Sequence, residues 1–128
     1  MKKIIETPLA PAAVGPYSQA VMAGNFCFVS GQLPIDPVTK KLLNGTIEEQ
    51  TARVLENITA ILDAAGLQRT DVVKVNVYLT NLANFKKMNG VYGTYFDAKC
   101  PARAAVQVAA LPLGAEIEIE AIAYKNQG

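Results

Sequence analysis

The amino-acid sequence predicts a single α+β domain over residues 1–128, a mixed sheet of about six strands with two main helices on one of its faces. Three observations predict it. The 128 residues are 51% hydrophobic and 18% charged, the size and apolar content of one domain able to bury a core. Two stretches place apolar residues at three- and four-residue steps, the spacing of one helix face. The other apolar stretches alternate with period two, or are short and apolar throughout, as strands are. No internal repeat, low-complexity tract or long linker divides the chain.

From the N-terminus, Lys3 to Glu6 and Gln19 to Gly24 are the first candidate strands. Gly24-Asn25 is a turn into a third, Phe26 to Ser30, which is apolar on both faces. Thr46-Ile47-Glu48-Glu49 has the form of a capping box, in which the threonine hydroxyl takes one free amide and Glu49 reaches back for another. The helix that begins there carries Ile47, Val54, Leu55, Ile58, Ile61, Leu62 and Ala65 as its stripe, and Gly66 supplies a left-handed stop. Val72 to Leu79 sets Val73, Val75, Val77 and Leu79 against Lys74, Asn76 and Tyr78. A second helix is expected from about Asn81 to before Pro101, with Phe85, Met88, Tyr92, Tyr95 and Phe96 as its stripe. Gly90 and Gly93 each weaken it by about 1 kcal/mol relative to alanine. Ala102 to Ala109 and Glu116 to Tyr124 are the last two strands, expected to form a hairpin through Leu111-Pro112-Leu113-Gly114.

Two helices cover one face of such a sheet, so the apolar faces of the one-sided strands are expected to point at them. In the penultimate strand that places Ala104, Val106 and Val108 inward and sends Arg103, Ala105 and Gln107 to the uncovered face. In the last strand it places Ile117, Ile119, Ala121 and Ala123 inward and sends Glu116, Glu118 and Glu120 to that same face, with Asn76 and Tyr78. Ala105, Ile122 and Tyr124 make the uncovered face half apolar, which implies a further subunit against it.

Composition narrows the chemistry. The net charge is +1 and the longest basic runs are lysine pairs, which is no footprint for nucleic acid or an anionic membrane. Cys27 and Cys100 are too few and too far apart for a zinc site, and are read as reduced thiols of a cytoplasmic protein. No window approaches about 18 uninterrupted apolar residues, and Glu6 and Pro8 interrupt any signal-peptide core. Asn44-Gly45-Thr46 and Asn57-Ile58-Thr59 are chance matches to the glycosylation pattern. With no histidine in the chain, Ser/His/Asp and Cys/His nucleophilic sites, HExxH metal sites and histidine as a general base are all excluded.

Carboxylates, tyrosine, lysine, arginine, backbone groups and water remain. Arg103, alone in an apolar run, is either a surface residue at a strand start or a fork for a planar carboxylate. Glu116, Glu118 and Glu120 are either a wet strand face or the source of one general base whose pKa its neighbours raise. Gly15-Pro16-Tyr17-Ser18 is a turn that either packs Tyr17 or sets it in a cleft. Ser30-Gly31 ends an apolar strand either as a plain turn or where a ligand approaches the backbone.

The stretches AAVGPYSQA, VSGQLPIDP, AAGL followed by DVVKVNVYL, Asn89 with Tyr92, and PARAAVQVAALPLGAEIEIEAIA occur in order over nearly the whole length. Together they resemble the RidA family of reactive-intermediate deaminases, also called the YjgF or L-PSP family. The resemblance implies a chorismate-mutase-like fold, assembled as a homotrimer whose sheets line an interior barrel, with clefts between subunits. It implies hydrolysis of 2-imino acids, such as 2-iminobutanoate and 2-iminopropanoate, to 2-oxo acids and ammonia, without a cofactor. Such imines are products of pyridoxal-phosphate dehydratases, and their removal protects pyridoxal-phosphate enzymes. By motif, Arg103 would clamp the substrate carboxylate and Glu118 would activate water. Tyr17, the Ser30-Gly31 backbone, Asn89 and the Ala105 backbone would shape the pocket. Some bacterial members have cysteine where this chain has Ala105, and an aromatic is common where it has Cys100. The family has also been linked to RNA cleavage and to ligand-binding, regulatory or chaperone-like roles. The missing basic patch and missing histidine disfavour the first, and Arg103 with Glu118 favours turnover over binding alone.

Overall fold

A computed structural model describes residues 1–126. Its strands are β1 (Lys3–Ile5), β2 (Ala20–Ala23), β3 (Phe26–Gln32), β4 (Val72–Leu79), β5 (Ala102–Gln107) and β6 (Ile117–Tyr124), in one sheet of order β1-β2-β3-β6-β4-β5. Every neighbouring pair is antiparallel except β4 with β5, which is parallel. Two helices, α1 (Ile47–Ala64) and α2 (Phe85–Tyr95), share one core with the inward side chains of the sheet. The architecture is the expected α+β one. Among the described residues no helix is long and apolar enough to cross a membrane.

Local sequence sets both helices. The Glu49 amide donates to Thr46 Oγ1 at 3.1 Å and the Thr46 amide donates to Glu49 Oε1 at 2.9 Å, closing the capping box. At the other end Gly66 adopts a φ of 75°, and the Leu67 amide donates to the Leu62 carbonyl at 2.9 Å, ending the helix in a left-handed turn. The α1 stripe of Ile47, Val54, Leu55, Ile58, Ile61 and Leu62 is buried, each such side chain contributing about 1.5–3 kcal/mol relative to exposure. One 3-10 turn, Leu82–Asn84, precedes α2, and Asn81 Oδ1 accepts from the Ala83 amide at 3.0 Å. Met88, Tyr92 and Phe96 are buried, with Phe85 and Tyr95 packed beside them.

The expected hairpin does not form. β6 lies between β3 and β4, and β5 forms the sheet edge, paired from Lys74↔Ala102 to Leu79↔Gln107. Burial explains the exchange: β6 hides an aliphatic at every second position, Ile117, Ile119, Ala121 and Ala123, and so takes the central place, while alanine-rich β5 has less to hide. The chain between them passes over the end of β4, turning at Leu113 and Gly114 with φ of 61° and 71°.

Pairing also overturns the face assigned to Arg103. Val75, buried on the helix side, pairs with Arg103, and Val77 pairs with Ala105. Arg103 and Ala105 therefore face the helices, whereas Ala104 and Val106 face the open side. Tyr78 pairs with Glu118 and Asn76 with Glu120, so these four do lie on the open face, opposite Arg103. Alternation misled because the uncovered face is itself apolar: Ile4, Phe26, Phe28, Val106 and Tyr124 are each 40–47% exposed there. Glu116 precedes β6 and leaves the face too; its Oε1 accepts from Gln50 Nε2 on α1 at 2.9 Å. In β4, a register shift between Val72 and Lys74 buries Val72 and turns Val73 outward, 44% exposed, where simple alternation had placed it inward.

Candidate functional site

The β3–β6 ladder contains a second irregularity. Val29 pairs with Ala121 and Gln32 with Ile119, so Ser30 and Gly31 together oppose the single residue Glu120. A bulge of this kind bends the strand and re-aims neighbouring side chains. Here it sets the Gly31 backbone against the Glu118 carboxyl: a Cβ on Gly31 would lie 2.9 Å from Glu118 Cδ and would overlap Oε2. Glycine stands there for space, since no larger residue leaves the carboxyl in place.

Around Glu118 is an open cleft of about 630 Å³, lined among others by Tyr17, Ser30, Gly31, Leu113 and Glu120. Ser30 Oγ donates to the Ser18 carbonyl at 2.6 Å and ties the turn bearing Tyr17 to β3. Tyr17 is half exposed and also borders a neighbouring hollow of about 530 Å³ floored by Gln19. Gln19 is saturated, accepting from the Thr7 amide and donating to the Thr7, Ala10 and Pro11 carbonyls.

Burial, and secondarily the charge of Glu120, pushes the Glu118 carboxyl above the ordinary carboxylate range. Glu120 Oε1 accepts a hydrogen bond from the Tyr78 hydroxyl. That bond, with burial and the nearby carboxylates, pushes the Tyr78 phenol up to about 12.

Arg103 sits in a different setting. α2 presents Phe85, Asn89 and Tyr92 at helical spacing, and the guanidinium lies 5.4 Å from the Phe85 ring centroid and 4.7 Å from that of Tyr92. Its Nη1 donates to Asn89 Oδ1 at 2.7 Å. One amide acceptor leaves most of the fork's five donors for another group. The Tyr92 hydroxyl is buried without a hydrogen-bond partner among the described residues. Cys100 is an exposed free thiol donating to the Phe96 carbonyl at 3.2 Å, and Cys27 is buried. Among the described residues no three His, Cys, Asp or Glu side chains are grouped to hold a metal ion.

Tyr17, Ser30, Gly31 and Glu118 thus converge on one cleft, while Asn89, Arg103 and Ala105 gather on the opposite face of the sheet. Sequence reasoning missed two contributions: the cradle that Phe85 and Tyr92 make for Arg103, and the Tyr78–Glu120 hydrogen bond. The first had a signal in the helical spacing of Phe85, Asn89 and Tyr92. The second had none, since Tyr78 and Glu120 meet only through strand pairing.

The family model described as endoribonuclease L-PSP matches residues 7–125. A 2-iminobutanoate/2-iminopropanoate deaminase of Bos taurus is 50% identical over 98% of this chain and 92% of its own length. The solved structure of a Thermotoga maritima protein is 58% identical, superposes with a TM-score of 0.97, and covers 98% of this chain and 99% of its own. That of E. coli TdcF with bound serine is 45% identical, with a TM-score of 0.93 over 97% of this chain and 99% of its own.

Proposed function

The chain belongs to the RidA family, matched by the model described as endoribonuclease L-PSP, and on that premise we propose that it hydrolyses small 2-imino acids to 2-oxo acids and ammonia. The observation that carries this reading is Glu118, a partly buried carboxyl held over Gly31 in a cleft walled by Tyr17 and Ser30. A protonated imine carbon is already electrophilic, so the protein must chiefly orient it and supply a poised water. In the proposed reaction the water oxygen bonds to C2 of the iminium while Glu118 accepts a water proton. The carbinolamine nitrogen then takes that proton from Glu118, the C–N bond breaks as the carbinolamine oxygen forms the carbonyl and gives up its own proton, and the nitrogen leaves with both as ammonium. Arg103, with donors to spare beyond Asn89, receives the substrate carboxylate in a two-pronged bond.

Arg103 and Glu118 lie on opposite faces of one sheet. The proposed site is therefore completed between copies of the chain, the Arg103 side of one meeting the Glu118 cleft of the next in a homotrimer. The half-apolar open face supports assembly, and the serine bound to TdcF supports a pocket of amino-acid size. A net charge of +1 and the absence of histidine favour imine hydrolysis over the RNA cleavage named in the family description. A coupled assay, in which an amino-acid oxidase or threonine dehydratase generates the imine and ammonia release is followed, tests the proposal. Wild type is expected to accelerate release. Arg103→Ala is expected to lower kcat/KM by about 100-fold, and Glu118→Gln to lower kcat by about 100-fold or more while 2-oxobutanoate still binds. No acceleration by wild type on several 2-imino acids would refute the reading.

A further inference from the structure

Two carboxyls share the cleft, and among the described residues only one of them has a dedicated donor. Glu118 and Glu120 stand at alternate positions of β6, on the same side of the sheet, and both line the cleft. β4 crosses beside them with Tyr78 paired to Glu118 and Asn76 paired to Glu120. From Tyr78 the hydroxyl reaches diagonally to Glu120 Oε1 and leaves Glu118 without that bond. A hydrogen bond donated to a carboxylate favours its charged form, and a fixed negative charge close by favours protonation of a second carboxyl.

We propose that Tyr78 and Glu120 act as a positioning pair for Glu118: the phenol fixes the Glu120 carboxyl beside it in the cleft, which makes Glu118 the carboxyl that takes up and releases the proton of the reaction. This deepens the hydrolase reading and rests on it. Neither Tyr78 nor Glu120 touches substrate in this scheme; both act through Glu118. The other groups facing the pair are those that follow within the chain and, in the proposed assembly, the Arg103 guanidinium of the next copy, which is unchanged in every variant compared below. β4 adds Lys74, paired with Ile122 further along the same face. β3 contributes Phe28, Ser30 and Gly31 and the Pro112–Gly114 turn contributes Leu113, none of them ionisable. Among the described residues the remaining titratable side chain in the cleft is Tyr17, from the turn before β2. The raised pKa of Glu118, caused by burial and then by Glu120, has the sign the scheme requires.

The test compares wild type, Tyr78→Phe, Glu120→Gln and the double variant, after circular dichroism and size measurements have shown that each folds and assembles as wild type does. Two readouts are taken: the acid limb of kcat/KM for imine hydrolysis, and the titration of the Glu118 carboxyl followed by carbon-13 NMR. Glu120→Gln is expected to move both to lower pH, with plateau kcat falling about two- to fivefold as the base weakens. Tyr78→Phe is expected to move them the same way, because a Glu120 side chain no longer fixed by the phenol is free to turn away from Glu118. In the double variant the phenylalanine should add no further shift, since Tyr78 works only through Glu120. An unchanged Glu118 titration in Glu120→Gln, or an added shift in the double variant, would overturn the proposal. The NMR titration does not depend on turnover. A shifted carboxyl in a protein inactive on every imine would sink the hydrolase reading and spare the pair, and an unshifted carboxyl in an active enzyme would do the reverse.

Discussion

The carboxyl of Glu118 lies over the Gly31 backbone, partly withdrawn from water and beside the carboxylate of Glu120. Both neighbours make its ionised form unfavourable in the folded chain, and neither acts in the unfolded one. With the native pKa above the unfolded value, the folded state holds the proton more tightly. The stability linked to this group is therefore complete below the ordinary carboxylate pKa of about 4.3 and is lost as pH rises through the raised native value. Glu118→Gln, neutral at every pH, escapes that loss. Its melting temperature is expected to exceed that of wild type at about pH 8 and to converge on it at about pH 4; scanning calorimetry across the range checks this. Equal melting temperatures throughout would mean the carboxyl is no worse placed than in water. The expected outcome, a less active and more stable variant, is the usual sign of a residue kept for chemistry.

The elements divide into those that local sequence dictates and those that pairing dictates. α1 belongs to the first kind, because its start, stripe and stop lie within one contiguous stretch. Thr46→Ala removes the side-chain half of the capping box and is expected to cost about 1 kcal/mol, visible in chemical denaturation as a lower midpoint with an unchanged slope. The helices, the strand segments and the candidate residues Tyr17, Gly31 and Glu118 were legible in sequence for the same reason: each signal is local. The faces of β5 were not legible. Its alternation of alanine and valine against arginine looks one-sided only if the uncovered face is assumed to be polar, and Val106 breaks that assumption. Nor was the insertion of β6 between β3 and β4 legible, because strands adjacent in the chain commonly pair and nothing local marks the exception. The closeness of Gly31 and Glu118 depends on the bulge, a property of two strands together.

At the scale of the whole molecule, Arg103 on one face and Glu118 on the other make the lone chain, in the proposed reaction, half a site twice over. If copies complete each other, damage to each half can be repaired in trans. Arg103→Ala and Glu118→Gln proteins, inactive separately, are expected to regain activity when co-expressed in equal amounts. Random assortment gives each shared site an intact arginine and an intact glutamate in roughly a quarter of cases. Ammonia release by the mixed assembly at about that fraction of wild type supports a site between copies. None at all, or a monomer by light scattering at micromolar concentration, refutes it.

The place of β6 has a consequence for how the chain reaches this form. β6 is the last of the six strands in chain order, yet it joins the β1-β2-β3 ribbon to the β4-β5 pair. Until it docks, two half-sheets each present a bare edge, and every contact that unites them spans a long stretch of sequence. Closure of the sheet is thus the step with the most distant contacts in sequence, the kind that folds slowly. It is also the moment at which Glu118 arrives over Gly31, so no partly folded form with an open seam carries the proposed base in place.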